Sequence, residues 1–207
     1  MAVGTSNSID LYELNAKGGR RISELTDDDA RRDMPAYMVH CVTFSADSRW
    51  LTATSWSKAV GVWDAKTGNL HIARKDLVHS LMSVAFLPGN AGVIFGEHNE
   101  EGLFVWDFQQ PDSEVRSLSS SRKRNVRSII VTNHGIAFVN GEWDGIMRAY
   151  DVATDTVLGR FQQATSMGTT NMAVSPDGRY IATCGGRGQN ESGGYVQLWK
   201  LVPEKGE

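Results

Sequence analysis

The stretch Gly141-Glu142-Trp143-Asp144-Gly145-Ile146-Met147-Arg148-Ala149-Tyr150-Asp151 reads as a tight turn followed by a strand. Asp144 and Gly145 form the turn, because glycine accepts a positive φ and aspartate can hydrogen-bond the turn backbone. Alternation along the strand then places Ile146, Arg148 and Tyr150 on one face and Met147 and Ala149 on the other. The rest of the chain repeats this unit.

Two series of residues recur along the chain with the same period. The first consists of the aromatic anchors Tyr12, Trp63, Trp106, Tyr150 and Trp199, which are 51, 43, 44 and 49 residues apart. The second consists of the apolar residues Phe44, Phe86, Val131 and Val174, which are 42, 45 and 43 residues apart. Agreement between two independent series indicates an internal structural repeat.

Each repeat contains four short strands, here called a, b, c and d in chain order. In the first complete repeat, turn residues separate strand a at 39–45, strand b at 50–54, strand c at 59–64 and strand d at 69–74. Strands a to c are apolar and strand d is more polar. This gradient predicts a sheet whose inner strands are covered on both faces and whose outer edge meets water.

Four strands in about 43 residues, repeated, predict an all-β fold, a β-propeller of four-stranded antiparallel blades. The chain is read as one propeller segment with a partial blade, three full blades and a blade without a clear outer strand. These lie at 2–25, 39–77, 81–118, 126–163 and 169–201. The prediction is therefore about four to four and a half blades. An open arc, or part of a larger propeller of the seven-bladed type, is favoured over a closed four-bladed ring.

Several of these motifs resemble the WD-repeat family. The resemblance lies in Trp63-Asp64, in Trp106-Asp107 and in the turn Ser175-Pro176-Asp177-Gly178, and it extends over about residues 2–201. The chain departs from the family pattern because no complete repeat has the Gly-His pair that often precedes strand a. Of the b–c turns, only the one with Asp144 keeps the family's aspartate. The rigidity of the blades is thus expected to depend on apolar packing.

The resemblance implies a non-catalytic protein-protein interaction scaffold or adaptor that binds through the narrow top face of the propeller. Exposed aromatic residues at that rim would be binding anchors, although packing on neighbouring loops is the alternative role for the two tryptophans. The candidate residues before the b–c turns are Trp56, Asn99 and Trp143. The candidates at the second position of strand a are His40, Met82, Arg127 and Thr170.

An enzymatic alternative is a hydrolase that resembles the lactonase propellers. It would need convergent carboxylates at the mouth of the channel, for which the chain offers Glu97, Glu100, Glu142 and Asp144. The five histidines are scattered, and no spacing selects a nucleophile, a general base or a zinc site. We therefore predict no catalytic residues, no metal and no cofactor.

Composition restricts the partners and the compartment. A net charge of −3 does not indicate nucleic-acid binding, and no apolar run approaches the roughly 18 residues of a membrane helix. Cys41 and Cys184 lie in apolar segments and are expected to be free thiols of a reducing compartment, the cytoplasm or the nucleus. The expected partners are proteins or peptides, and exposed blade edges favour self-association or completion of the propeller by another chain.

Overall fold

The computed structural model describes residues 1–6, 8–25, 38–75, 77–97, 102–110, 112–121, 126–141, 145–162, 169–186 and 194–202. Within these residues, eighteen strands form five antiparallel sheets and no α-helix is present. Sheet 1 contains β1 (Ala2–Gly4), β2 (Ile9–Asn15) and β3 (Gly18–Leu25). Sheet 2 contains β4 (Val39–Phe44), β5 (Trp50–Ser55), β6 (Val60–Asp64) and β7 (Leu70–Arg74).

The remaining sheets follow in chain order, with short 3-10 turns at Pro88–Asn90 and Ser119–Ser121. Sheet 3 contains β8 (Leu81–Phe86), β9 (Val93–Glu97), β10 (Leu103–Trp106) and β11 (Arg116–Ser117). Sheet 4 contains β12 (Ser128–Val131), β13 (Ile136–Asn140), β14 (Ile146–Asp151) and β15 (Thr156–Gln162). Sheet 5 contains β16 (Thr169–Val174), β17 (Tyr180–Gly186) and β18 (Gly194–Lys200).

Each sheet is a meander in which consecutive strands pair, as the prediction of four-stranded antiparallel blades requires. In sheet 2 the strands a to d are β4 to β7, and their bounds differ from the predicted ones by no more than one residue at either end. The three-stranded sheet 5 corresponds to strands a, b and c, because Trp199 in β18 pairs with Ile181 in β17 as Trp63 pairs with Leu51 in sheet 2.

Sheet 1 corresponds to strands b, c and d. Gly4 in β1 pairs with Ile9, and a Cβ added to Gly4 would lie 2.5 Å from the side chain of Val39 in the next sheet. The same relation holds for Gly96 in β9, whose Cβ would meet Val126. The predicted count of four to four and a half blades was wrong. The structure has five blades, because the predicted strands at the start of the chain pair into a three-stranded sheet that the prediction had counted as half a blade.

Apolar side chains fill the space between consecutive sheets. Sheets 1 and 2 meet around Leu11 and Trp63, and sheets 2 and 3 meet around Val62 and Trp106. Two further clusters, around Tyr150 and around Met172, join sheets 3 and 4 and sheets 4 and 5. All six residues of β5 and all five residues of β9 are buried, so these central strands are covered on both faces as predicted.

Two further findings concern the cysteines and the membrane. Cys41 and Cys184 are both free thiols, as expected. Burial in the sheet 2–3 core raises the pKa of the Cys41 thiol, although Cys41 donates a hydrogen bond to the carbonyl of Val84. Across the described ranges, no helix has the length and apolar character needed to cross a bilayer.

Candidate functional site

The predicted rim residues of strand a lie on β-bulges. In sheet 2, Val39 pairs with Ser55 and Cys41 pairs with Thr54, so His40 is the extra residue between two adjacent pairs. Met82 holds the same place in sheet 3, and the backbone of Thr170 holds it in sheet 5. A bulge bends the strand and redirects the side chain of its extra residue. The same backbone irregularity therefore occurs at three of the four candidate positions.

Arg127 is at the corresponding end of sheet 4. It immediately precedes β12, and its backbone N–H donates a 2.8 Å hydrogen bond to the carbonyl oxygen of Asn140, the last residue of β13. The side chain of Arg127 is half-buried. The start of strand a and the end of strand b therefore meet at this rim in sheet 4, as they do in sheets 2, 3 and 5.

His40 and Trp56 form a stacked pair at the rim. Their ring centroids are 5.3 Å apart and the ring planes differ by 23°. Trp56 remains 44% exposed, and His40 is also exposed. An aromatic pair of this geometry combines a large apolar surface with little conformational freedom, which suits the anchor of a protein interface.

Backbone contacts hold Trp56 in position. Its N–H donates a 3.0 Å hydrogen bond to the carbonyl of Met38, which precedes β4. Its own carbonyl accepts a 2.9 Å hydrogen bond from the hydroxyl of Ser80, which precedes β8 in the next sheet. These two hydrogen bonds connect the turn that contains Trp56 to the starts of the inner strands β4 and β8. This arrangement holds the exposed ring of Trp56 in a preorganised position, a property that would lower the entropy cost of an interaction there.

Two other candidates, Asn99 and Trp143, lie outside the described residues, so their relation to the His40–Trp56 pair stays a prediction. The same holds for Glu100, Glu142 and Asp144 of the enzymatic alternative. Glu97, the last residue of β9, is described and is 97% buried, since its exposed fraction is 3%. Within the described ranges, no group of three or more His, Cys, Asp or Glu side chains could hold a metal ion. The lactonase alternative therefore gains no support.

The anchor tryptophans differ in their polar contacts. Trp199 Nε1 donates a 3.2 Å hydrogen bond to Thr183 Oγ1 in the adjacent strand. The equivalent positions in sheets 2 and 3 are Ala53 and Phe95, which have no hydroxyl. Trp106 Nε1 is buried and has no partner among the described residues. Apolar packing, rather than a repeated polar network, therefore holds these anchors, in agreement with the sequence expectation.

Sequence reasoning placed His40 and Trp56 at the rim but missed their stacking. The bulge at His40 adds one residue to strand a, and no glycine or other turn residue marks it in the sequence. The hydrogen bonds that Trp56 forms with Met38 and Ser80 were also not predicted. A comparison of all strand starts could have identified Ser80, because a hydroxyl directly before an inner strand can reach the turn of the preceding sheet.

Five consecutive antiparallel sheets, packed face to face with their first strands side by side, define a β-propeller architecture. The family model described as "WD domain, G-beta repeat" matches residues 34–64 and 157–200. These two regions, which together make up less than half of the chain, are therefore similar to the repeats of the WD-repeat family.

A curated relative is Autophagy-related protein 16 of Arabidopsis thaliana. It is 23% identical to this chain over 159 residues, which make up 74% of the chain and 29% of the relative. The match therefore spans less than a third of the length of that relative.

Proposed function

We propose that this protein is a non-catalytic scaffold or adaptor that binds proteins or peptides at the rim where the inner strands begin. The exposed His40–Trp56 pair carries this proposal. Met82, Arg127 and Thr170 extend the surface along the same rim, and Asn99 and Trp143 are proposed to complete it. WD-repeat propellers generally bind proteins, which supports the proposed class of partner.

The chemistry of the rim supports binding rather than catalysis. Aromatic, thioether and guanidinium groups are enriched at protein interfaces, and Trp56, Met82 and Arg127 supply one of each. The distant Arabidopsis relative does not justify transferring an autophagy-related role, so the proposal is limited to protein binding. We place the protein in the cytoplasm or the nucleus, since two free thiols suit a reducing compartment.

We further propose that the five sheets form an open arc or part of a larger ring, which other blades or another chain complete. Val196 and Leu198 in β18 are 78% and 67% exposed. Their equivalents in β6, Val60 and Val62, are fully buried against sheet 3. Apolar residues at these positions indicate a face that is shaped to pack against a neighbouring sheet.

The rim site is tested by substitution of Trp56 with a matched control. Trp56→Ala removes the exposed aromatic anchor, whereas Phe44→Ala removes an aromatic side chain of similar exposure from the opposite end of β4. Affinity capture followed by mass spectrometry is expected to identify a partner that Phe44→Ala retains and Trp56→Ala loses. Both variants must keep the thermal midpoint of the parent protein. Equal partner recovery with the two folded variants would contradict the rim site.

A further inference from the structure

The interface between sheets 2 and 3 contains a cluster of four aromatic rings. Phe108, which lies two residues after the anchor Trp106, is at its centre and is fully buried. Its ring centroid lies 5.6 Å from Trp50, 6.2 Å from His71 and 5.8 Å from Phe86. Trp50 in β5 and His71 in β7 thus meet Phe86, at the end of β8 in sheet 3, around the ring of Phe108.

The interface between sheets 4 and 5 has smaller residues at the same four positions. Ile136 pairs with Asp151 as Trp50 pairs with Asp64. Leu158 is the bulge residue of β15, as His71 is of β7. Val174 and Leu201 correspond to Phe86 and Phe108, because Val174 ends strand a and Leu201 lies two residues after the anchor Trp199. Aliphatic side chains therefore replace all four rings.

A cavity of about 630 Å³ lies between sheets 4 and 5, next to three of these four positions. Ile136, Leu158 and Leu201 line it, together with the rings of Phe138 and Phe161. Leu158 is 54% exposed, so the apolar wall is open to solvent. A cavity of this volume lies within the range of about 300–1,000 Å³ that is typical of ligand sites in proteins.

Polar groups surround the mouth of the cavity. Asn133 and the turn residues Asp177 and Arg179 contribute to its lining. Arg179 Nε donates a 2.7 Å hydrogen bond to Asp177 Oδ2, while the Arg179 side chain remains 71% exposed. An apolar interior with hydrogen-bonding groups at its edge fits a side chain that enters the cavity from a peptide backbone.

We propose that this cavity binds an aromatic side chain presented by a peptide segment of a partner protein. The sheet 2–3 interface supplies the argument for the occupant, since the same four positions there are filled by rings. An aromatic side chain buries about 150–250 Å² and pairs favourably with other rings, here Phe138 and Phe161. The exposed guanidinium of Arg179 is placed to donate hydrogen bonds to carbonyl groups of the bound segment.

This surface is separate from the proposed rim site. Ile136 begins β13 and lines the cavity, whereas Asn140 ends β13 and accepts the hydrogen bond from Arg127 at the rim. Four residues of extended strand separate the two ends by about 13 Å. Substitutions at Trp56 are therefore expected to leave the cavity unchanged, and failure of one site does not imply failure of the other.

The test is an NMR titration of the complete 207-residue chain with two short peptides. The first peptide is a blocked Gly-Ser-Trp-Ser-Gly, and the second has alanine in place of tryptophan. We expect saturable shifts of the methyl groups of Ile136, Leu158 and Leu201 with the tryptophan peptide alone. Absence of a saturable shift at these methyl groups would overturn the proposal. Equal binding of free indole would also overturn it, since the site would then select a small aromatic molecule.

Leu201→Phe restores the ring that the sheet 2–3 interface has at this position. We expect this variant to keep or raise the thermal midpoint and to bind the tryptophan peptide at least about tenfold more weakly. Leu14→Phe, at an exposed position of sheet 1, is the matched control and should bind normally. If Leu201→Phe fails to fold, Leu158→Trp serves in its place because Leu158 is largely exposed. Unchanged peptide affinity in the folded variant would show that the peptide binds elsewhere.

Discussion

At the scale of single residues, Asp155 links two consecutive sheets. The residue lies in the turn between β14 and β15, with a φ of 55°. Its carboxylate accepts hydrogen bonds of 2.8 and 2.7 Å from the N–H and hydroxyl of Ser119, and of 3.2 and 2.7 Å from those of Ser120. Slight burial acts to raise the pKa of Asp155, but these four bonds outweigh it and lower the pKa from 3.8 to about 2.

Asp155→Asn is expected to weaken this link without straining the turn, because asparagine tolerates a positive φ. Asp155 is half-buried and solvent still screens its carboxylate, so we expect a loss of about 1 kcal/mol in the free energy of unfolding at neutral pH. The pKa of Asp155 is lower in the folded than in the unfolded protein. The extra free energy of unfolding of the parent protein over Asp155→Asn is therefore fully present above pH 3.8 and is lost as the pH falls towards 2. Denaturant unfolding of both proteins across this range measures the difference. A constant difference at all pH values would contradict the role of the charge.

Phe108 offers a second prediction at the residue scale. Phe108→Leu gives the sheet 2–3 interface the residue that the sheet 4–5 interface has at Leu201. Since Phe108 is fully buried between rings, we expect a loss of about 1–2 kcal/mol in the free energy of unfolding. Urea titration gives this value, with the exposed Phe44→Leu as the control. Equal losses in the two variants would show that the aromatic cluster adds nothing beyond the size of the side chain.

At the scale of the strand, one glycine determines how closely sheets 3 and 4 approach each other. A Cβ added to Gly96 in β9 would lie 2.1 Å from Cγ1 of Val126, which is itself 1% exposed. Gly96→Ala is therefore expected to lower the free energy of unfolding by about 2 kcal/mol, the usual cost of overpacking. The lower entropy of the unfolded chain offsets only part of this cost.

Val126→Ala provides the matched test of that contact, because it removes the atoms with which the new methyl group would clash. In this background Gly96→Ala should cost little, so the double-mutant cycle should give a coupling energy of about 1–3 kcal/mol. Chemical denaturation of the four proteins completes the cycle. Strictly additive losses would indicate that the alanine acts on β9 itself and not on the contact between sheets.

The strands were largely predictable from the sequence, whereas the geometry of the proposed rim site was predictable only in part. Two apolar series with one period identify the strands, and β5 and β6 match the expected ranges to within one residue because turn residues bound them. The bulge at His40 has no such marker, since it depends on how β4 pairs with β5. The stack of His40 on Trp56 depends in turn on that bulge and on the hydroxyl of Ser80 in another sheet.

At the scale of the molecule, the last sheet is half-covered where the central sheets are fully covered. Met172, Ile181 and Thr183 are buried on the face of sheet 5 that packs against sheet 4. The other face carries Val196 and Leu198, and β18 alternates regularly between exposed and half-buried residues. An amphipathic edge sheet would have polar residues on its open face, so these aliphatic residues support the proposal that a further sheet or another chain packs here.

The double variant Val196→Asp/Leu198→Asp tests whether this open face drives association. Both residues are largely exposed, so the substitutions should change the free energy of unfolding by only a few tenths of a kcal/mol each. They should also suppress the binding of apolar dyes and any growth in mass above 22.7 kDa with concentration, as light scattering would measure. The equivalent pair Val60→Asp/Val62→Asp is buried between sheets 2 and 3 and should prevent folding, because it places two carboxylates in an apolar core. If the parent protein binds no dye and stays monomeric at every concentration, sheet 5 has no open apolar face in solution and the proposed arc is wrong.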